Sequence, residues 1–242
     1  MRPEPSFARS LVAWGNASLL GALPRDSFDA YVPRAKPVRA VSFGDGAQRW
    51  TDSSSWFTSV VQRHGPAARL ALDASLPAGC EAVVVCGPTS FESWQQSWTR
   101  IASAKSAPWF DATFVRSADR ASAPPPGQSV DAALIDLVRP LDGLVQLSRR
   151  ANLGGWGSYF SRALEIANGE RQAEIESPLP PTAPAAAHRL ALAAMLSDAF
   201  GGMGSWNDFE PLEDAASESE RNRWSSDLYN AIHGALISTA HV

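Results

Sequence analysis

Closely spaced carboxylates are the first residues of this sequence that could do chemistry. Asp208, Glu210, Glu213 and Asp214 follow one another within a short stretch, and oxygen ligands of this kind suit a hard cation such as calcium. The stretch lacks the alternating ligands and the fixed glycine of an EF-hand loop. Carboxylates are also favoured near the start of a helix by the helix dipole. We therefore predict a solvated acidic loop and no metal site.

Histidine and serine provide no recognisable catalytic pattern. The histidines at positions 64, 188, 233 and 241 lie far apart, and none has a second His or a Cys at metal-ligand spacing. The chain contains neither the Gly-x-Ser-x-Gly elbow of a serine hydrolase nor the lysine-bearing phosphate loop of a nucleotide-binding protein. The sequence therefore predicts no catalytic, metal-binding or cofactor-binding residue, and no cofactor.

The two thiols are Cys80 and Cys86. On one extended strand their α-carbons would be about 20 Å apart, which is too far for a disulfide bond. Reduced thiols are typical of a reducing compartment. Residues 1–5 include an acid and do not read as a secretory signal, and no apolar run is long enough to span a bilayer. We therefore expect a cytoplasmic protein without a membrane segment.

The run from Ala199 to Phe209 is the most distinctive part of the chain. Its glycines can adopt backbone angles closed to other residues, and Gly201 or Gly202 could end the preceding helix. The run is interpreted either as an ordered connection between two helices or as a partner-binding surface. The candidate residues are Gly201, Gly202, Met203, Gly204, Ser205, Trp206, Asn207 and Asp208.

An earlier segment echoes this run. Residues 154–159 read Gly-Gly-Trp-Gly-Ser-Tyr, and residues 201–206 read Gly-Gly-Met-Gly-Ser-Trp. Such an echo is typical of a duplicated helical hairpin. Coincidence in a chain rich in alanine and glycine explains it equally well.

The run at 200–208 resembles a segment of uncharacterised bacterial proteins. In them Phe or Tyr, Gly-Gly-Met-Gly-Ser, Trp or Phe, and Asn-Asp stand between two helices, and the resemblance covers roughly residues 186–238. Some of these proteins look like immunity proteins or proteins encoded near toxins. The resemblance implies a toxin-like protein partner and carries no chemistry to this chain.

Composition limits the classes of partner. The chain has 242 residues and a formal net charge of −4, and its basic residues are scattered. A nucleic-acid binder would present a basic face, and attraction to anionic lipid also needs basic clusters. We therefore expect neither a nucleic-acid partner nor a membrane partner.

The spacing of apolar residues predicts a mixed first half. Strands are predicted over residues 38–43, 69–73, 81–86, 109–115 and 131–138, and helices over 6–22, 53–64 and 91–101. The last of these helices rests on an apolar stripe of Phe91, Trp94, Trp98 and Ile101. The link between 69–73 and 81–86 is too short for a crossover helix, so this pair should be antiparallel.

The spacing of apolar residues in the second half predicts helices. Helices are predicted over residues 141–151, 156–168, 185–199 and about 217–236. Prolines at 178, 180, 181 and 184 predict a stiff, exposed joint over residues 177–184. The expected fold is α+β, with a mixed α/β domain over residues 1–139 and a helical region over residues 140–242 that ends in a helical hairpin.

Two functions are compatible with these patterns. The first is non-enzymatic protein–protein interaction of an immunity-like kind, with Trp206 as aromatic anchor and the neighbouring carboxylates steering the partner. The alternative is a small hydrolase-like enzyme at the strand ends of the α/β layer, with Asp73 or Asp136 as base. The first is favoured because the sequence contains no catalytic signature.

Overall fold

The computed structural model describes residues 7–32, 38–73, 82–101, 109–120, 123–124, 127–200, 206–208 and 211–241, without the side chains of 118–120 and 207. The chain divides into two compact units. We call Met1–Pro126 with Pro180–Thr182 and His241 the sheet unit. Gly127–Leu179 with Ala183–Ala240 and Val242 form the helical unit.

Helices and strands alternate irregularly in the sheet unit. Its elements are α1 (Phe7–Leu19), α2 (Ser27–Tyr31), β1 (Val38–Gly44), β2 (Arg49–Trp50), α3 (Ser53–His64), β3 (Arg69–Asp73), β4 (Ala82–Cys86), β5 (Phe91–Ile101) and β6 (Trp109–Arg120). The start of α3 follows from its cap, because the Asp52 carboxylate accepts the Ser55 N–H at 2.7 Å. The helix ends at Gly65, whose φ of 80° favours glycine.

Within the described residues, six strands form one sheet in the order β2-β1-β6-β5-β4-β3. β1 runs parallel to β6, and the other neighbours are antiparallel. The predicted antiparallel pairing of β3 and β4 is confirmed, with Arg69 opposite Cys86. A mixed sheet followed by helices confirms the α+β class.

Aromatic side chains fill the core of the sheet unit. Phe43 stacks on Trp56 with ring centroids 4.2 Å apart and on Phe114 at 5.5 Å. The edge of Trp94 meets Trp56 at 5.2 Å. All four residues are fully buried, and each such pair adds about 0.5–1.5 kcal/mol beyond the area that it buries.

A side chain of α1 completes the outer edge of the sheet. The Asn16 amide donates to the Leu70 carbonyl at 2.9 Å and accepts the Leu70 N–H at 2.7 Å. Leu70 belongs to β3, the last strand of the sheet, so its outward backbone groups meet no further strand among the described residues. Asn16 therefore supplies the hydrogen bonds that a further strand would have made.

The predicted helix over residues 91–101 is wrong, because these residues form strand β5. On one face of β5 the buried Glu92 and Trp94 alternate with more exposed neighbours. Because Glu92 places a carboxylate at a core position, the apolar residues alone do not show the two-residue period of a strand. The aromatic residues that suggested a helical stripe are also favourable in strands.

The predicted strand over residues 131–138 is also wrong. These residues begin a long helix, in which the Ser129 hydroxyl caps the first turn by accepting the Ala132 N–H at 3.2 Å. The helix continues through the buried Pro140, although proline removes a backbone hydrogen bond at an interior position. The expected boundary after residue 139 consequently falls within this helix, whereas the units divide at Pro126 and Gly127.

The helical unit packs four helices around one core. Its elements are α4 (Val130–Arg150), α5 (Trp156–Asn168), α6 (Ala185–Ser197), a 3-10 turn (Trp206–Asp208) and α7 (Ala215–Ala240). Leu137, Leu144, Phe160, Leu190 and Leu228 are fully buried members of this core. α5 ends at Gly169, whose φ of 79° is the usual left-handed helix stop.

The proline-rich segment is less exposed than its composition predicts. Pro178, Leu179 and Pro180 are buried, while residues 181 and 182 are exposed. Within the helical unit, the Ser177 hydroxyl lies 2.7 Å from His188 Nδ1. The start of the segment is therefore fixed by a side-chain hydrogen bond to α6.

Candidate functional site

The structure describes only part of the glycine-rich candidate motif. Trp206–Asp208 form the 3-10 turn that precedes α7. Asp208 is exposed at this turn. Gly201, Gly202, Met203, Gly204 and Ser205, with the side chain of Asn207, lie outside the described residues.

Trp206 is a core residue of the helical unit. Its relative exposure is 2 %, and its ring meets the rings of Trp156 and Phe160 edge-on, each at a centroid distance of 5.2 Å. Its indole N–H donates to the Ser225 hydroxyl at 2.7 Å. The guanidinium of Arg221 lies 5.9 Å from the ring centroid. Trp206 is therefore not the exposed anchor that the interaction hypothesis requires.

The neighbouring carboxylates serve the start of α7. Asp214 accepts the Ser217 hydroxyl at 2.7 Å and the Ser217 N–H at 2.9 Å, and these bonds lower the pKa of Asp214. Glu218 accepts the Leu212 N–H at 3.0 Å. Among the described residues, no group of three or more His, Cys, Asp or Glu side chains could hold a metal ion. Glu210 lies outside the described residues, and Glu213 is exposed.

The two glycine-rich segments contribute aromatic residues to the same cluster. Trp156, from the segment at 154–159, contacts Trp206, from the segment at 201–206. Trp156 is the first residue of α5 and is half-buried. The first glycine-rich segment therefore lies beside Trp206, and it also borders a cavity.

A cavity of about 460 Å³ opens where α4 ends and α5 begins. Its wall contains three serines and three arginines: Ser148, Ser158, Ser161, Arg149, Arg162 and Arg171. Asn152 and Gly154 reverse the chain here with φ values of 51° and 54°. Since Asn and Gly tolerate the left-handed region best, these two residue types allow the tight turn.

Hydrogen-bond donors without acceptors face this turn. Ser148 is 3 % exposed, and its hydroxyl has no hydrogen-bond partner within the described part of the chain. The N-cap of α5 is Gly155, which has no side chain to cap the first turn. The first backbone N–H groups of α5 therefore receive no side-chain cap from this position. Donors of this kind, at a helix start, suit an anion.

Ion pairs hold two of the arginines in place. Glu174 bonds to Arg162 at 2.7 Å and to Arg171 at 3.1 Å. The hydrogen bond from Arg171 is the largest cause of the lowered pKa of Glu174, and Arg162 adds to it. Glu165 lies 3.5 Å from Arg171.

Arg149 gives the cavity its excess positive charge. It is exposed, and over residues 127–179, 183–200, 206–208 and 211–240 of its unit no carboxylate forms an ion pair with it. The three guanidiniums of the cavity therefore outweigh the two carboxylates, Glu165 and Glu174, by one formal charge.

Sequence reasoning missed this cavity. Arg149 and Arg150 are adjacent in the sequence, and such a pair is typical of a solvated surface. Arg162 and Arg171 lie on either side of the end of α5 and share no motif. The one available signal is the glycine-rich echo at 154–159, which marks an uncapped helix start.

The two aspartates of the enzyme hypothesis belong to different units. Asp73 is 5 % exposed at the end of β3, as expected for a strand end. Asp136 lies on α4 and is exposed, so its predicted position at a strand end is wrong.

Comparisons with protein families, curated proteins and solved structures find no match for this chain. In the part of the chain that the structure describes, no helix has both the length and the apolar character needed to cross a membrane.

Proposed function

We propose that the helical unit binds a small phosphorylated ligand in the cavity between the end of α4 and the start of α5. The observation that carries this proposal is the buried Ser148 hydroxyl without a partner in the cavity wall. An unsatisfied buried polar group costs about 1–3 kcal/mol. A phosphate oxygen that accepts this hydroxyl would recover the cost.

The charge and the geometry of the donors favour phosphate. Guanidinium groups bind phosphate with two parallel N–H donors, and Arg162 and Arg171 are already oriented by Glu174. The N–H groups at the start of α5 add a partial positive charge. The volume of about 460 Å³ falls within the usual range of small-molecule sites.

Calorimetric titration with inorganic phosphate, pyrophosphate and a panel of phosphorylated small molecules tests the proposal. Arg149→Gln and Arg171→Gln should each weaken binding about tenfold or more, because a hydrogen bond to a charged group contributes about 1.5–3 kcal/mol. Arg139→Gln is the matched control, since Arg139 lies on the same helix as Arg149 and outside this cavity. Equal losses in all three variants, or no saturable binding by the unaltered protein, would contradict the proposal.

A cavity-filling variant provides an independent test. A methyl group added at Gly157 would lie 3.5 Å from Cβ of Ser148, which is ordinary contact distance. Gly157→Ala should therefore fold normally, since alanine favours the helix, while it shields the Ser148 hydroxyl. Binding should fall without a lower melting temperature.

A toxin-like protein partner, implied by the resemblance, stays a second proposal. With Trp206 buried, its support is the exposed carboxylates of Asp208 and Glu213. Capture of a partner from the native host by the unaltered protein, with slower association by a variant neutralised at both carboxylates, would support it.

A further inference from the structure

We propose that the sheet unit carries a separate esterase-like site, in which Ser90 is the nucleophile, His64 its general base and Glu92 the charge that stabilises the protonated imidazole. The site is independent of the phosphate cavity, which belongs to the helical unit. Its three residues, Ser90, His64 and Glu92, do not belong to a common sequence motif.

Three elements of the sheet unit place these side chains. His64 is the last residue of α3, where Gly65 ends the helix. Ser90 closes the turn between β4 and β5, in which the Gly87 N–H donates to the Ser90 carbonyl at 2.8 Å. Glu92 is the second residue of β5.

Ser90 and His64 have the geometry of a nucleophile and its base. The Ser90 hydroxyl lies 3.0 Å from Nδ1 of His64, within the range of about 2.6–3.2 Å expected for such a pair. Ser90 is exposed, so that a substrate can reach its oxygen, while His64 is 8 % exposed. A methyl group at Gly87 would lie 2.8 Å from Nδ1, so glycine is needed for the ring to occupy this position.

The far side of the imidazole faces a carboxylate. Nε2 of His64 lies 3.3 Å from Oε1 of Glu92. The contact is not aligned as a hydrogen bond, so Glu92 acts on the ring through its charge. A bare nitrogen lone pair facing an anion is unfavourable, which places the neutral ring's proton on Nε2. Nδ1 is then the acceptor and can take the proton of Ser90.

Glu92 is held in position by donors on its other sides. It is 5 % exposed, and its carboxylate lies 3.4 Å from Arg63 and 3.3 Å from Arg116. The indole N–H of Trp94 donates to Oε2 at 3.3 Å. These contacts keep Oε1 on the side of the imidazole.

The reaction that fits this arrangement is hydrolysis of a carboxylic ester. Ser90 Oγ attacks the carbonyl carbon while its proton passes to Nδ1 of His64, and Glu92 stabilises the resulting imidazolium. The tetrahedral intermediate expels the alkoxide, which takes that proton and leaves as an alcohol. His64 then removes a proton from water, which attacks the acyl group on Ser90. The carboxylic acid departs, and Ser90 regains its proton.

A fluorophosphonate probe with intact-mass detection tests Ser90 directly. The unaltered full chain should gain one probe adduct, and Ser90→Ala should gain none. Ser117→Ala is the matched control, because Ser117 is an exposed serine of the neighbouring strand β6. It should be labelled at the rate of the unaltered protein. Hydrolysis of p-nitrophenyl acetate should follow the same order.

The role of His64 is tested by His64→Gln, which should slow labelling by about a hundredfold or more, as expected for loss of a general base. Because His64 is buried and this variant could unfold, Gly87→Ala is a second probe, since its methyl group displaces the ring from Ser90. No labelling of the unaltered protein, labelling that survives Ser90→Ala, or full labelling of folded Gly87→Ala overturns the proposal. Labelling of Ser90 and titration with phosphate measure different residues in different units, so the two proposals can fail separately.

Discussion

At the scale of single residues, Trp206 shows how burial changes the interpretation of a motif. Its ring packs edge-on against Trp156 and Phe160, and its N–H bonds to Ser225. We expect Trp206→Ala to lower the free energy of unfolding by about 3–5 kcal/mol, the usual cost of deleting a buried aromatic ring. Urea denaturation, monitored by circular dichroism, measures this change in the free energy of unfolding.

Trp206→Phe is the control for the ring itself. It keeps an aromatic group against Trp156, although it loses the smaller ring of the indole and the bond to Ser225, whose hydroxyl still bonds to the Arg221 carbonyl at 2.6 Å. The loss of stability should therefore be well below that of Trp206→Ala. If both variants melt like the unaltered protein, the ring does not support the core, and the exposed-anchor hypothesis regains its basis.

Asp214 provides a residue-scale prediction about pH. Hydrogen bonds from Ser217 and Ala216 lower its pKa in the folded protein. A group with a lowered folded pKa stabilises the fold above its unfolded pKa, and the effect is lost as the pH falls through the folded pKa. Asp214→Ala should therefore lower the melting temperature at about pH 7 and have little effect at about pH 2.

Asp214→Asn is the matched variant for this test, because asparagine caps helices without titrating. Its melting temperature should show no extra dependence on pH in the acidic range. An effect of Asp214→Ala that is the same at both pH values would show that the carboxylate charge does not contribute to the cap.

At the scale of elements, Gly143 determines how closely α4 approaches α7. A methyl group at this position would lie 2.4 Å from Cε2 of Trp224. The Trp224 ring is held by a hydrogen bond to Glu220 at 3.1 Å and by the Arg223 guanidinium at 4.3 Å from its centroid. Overpacking costs about 1–3 kcal/mol, which exceeds the gain of about 0.5–1 kcal/mol from replacing a helical glycine.

We therefore expect Gly143→Ala to lower the free energy of unfolding. In a Trp224→Ala background the clash disappears, so the same change should be neutral or slightly stabilising. A double-mutant cycle in urea measures this coupling. Equal effects of Gly143→Ala in the two backgrounds would mean that Trp224 is not the limiting contact.

At the scale of the whole molecule, each unit has a core of its own. The described core of the helical unit is built from residues 133–236, and that of the sheet unit contains the ring cluster of Phe43, Trp56, Trp94 and Phe114. A unit of this size can support an independent core. We expect a fragment of residues 127–240 to fold by itself, with a helical circular dichroism spectrum and a cooperative melt.

Trp206→Ala should destabilise this fragment about as much as it destabilises the full chain, because the contacts of Trp206 lie within the helical unit. A fragment that is helical but melts without cooperativity would contradict the independence of this core. The corresponding test of function is phosphate titration of the same fragment.

Local chemistry in the sequence determined much of the architecture. Asp52 starts α3 and Gly169 ends α5 where capping rules place them. The short link before β4 implied that β3 and β4 form an antiparallel pair. These features depend on neighbours along the chain, so the sequence alone was sufficient for them.

Only the tertiary structure decided where polar residues enter the core. Glu92 interrupts the apolar alternation of β5. Its carboxylate can be buried there because Arg63 and Arg116 lie around it. A buried carboxylate is tolerated only with such partners, and these come from α3 and β6. Because of Glu92, the sequence pattern did not indicate strand β5. The same residue forms part of the proposed esterase-like site.

Both proposed sites depend on the same kind of long-range contact. Ser90 meets His64, and Arg149, Arg162 and Arg171 line one cavity, only after distant segments have packed. The sequence determined the residue types and most of the helices and strands that carry them. The distances between those residues, and the burial of Trp206 that removed the expected anchor, are properties of packing between elements, which local patterns do not specify.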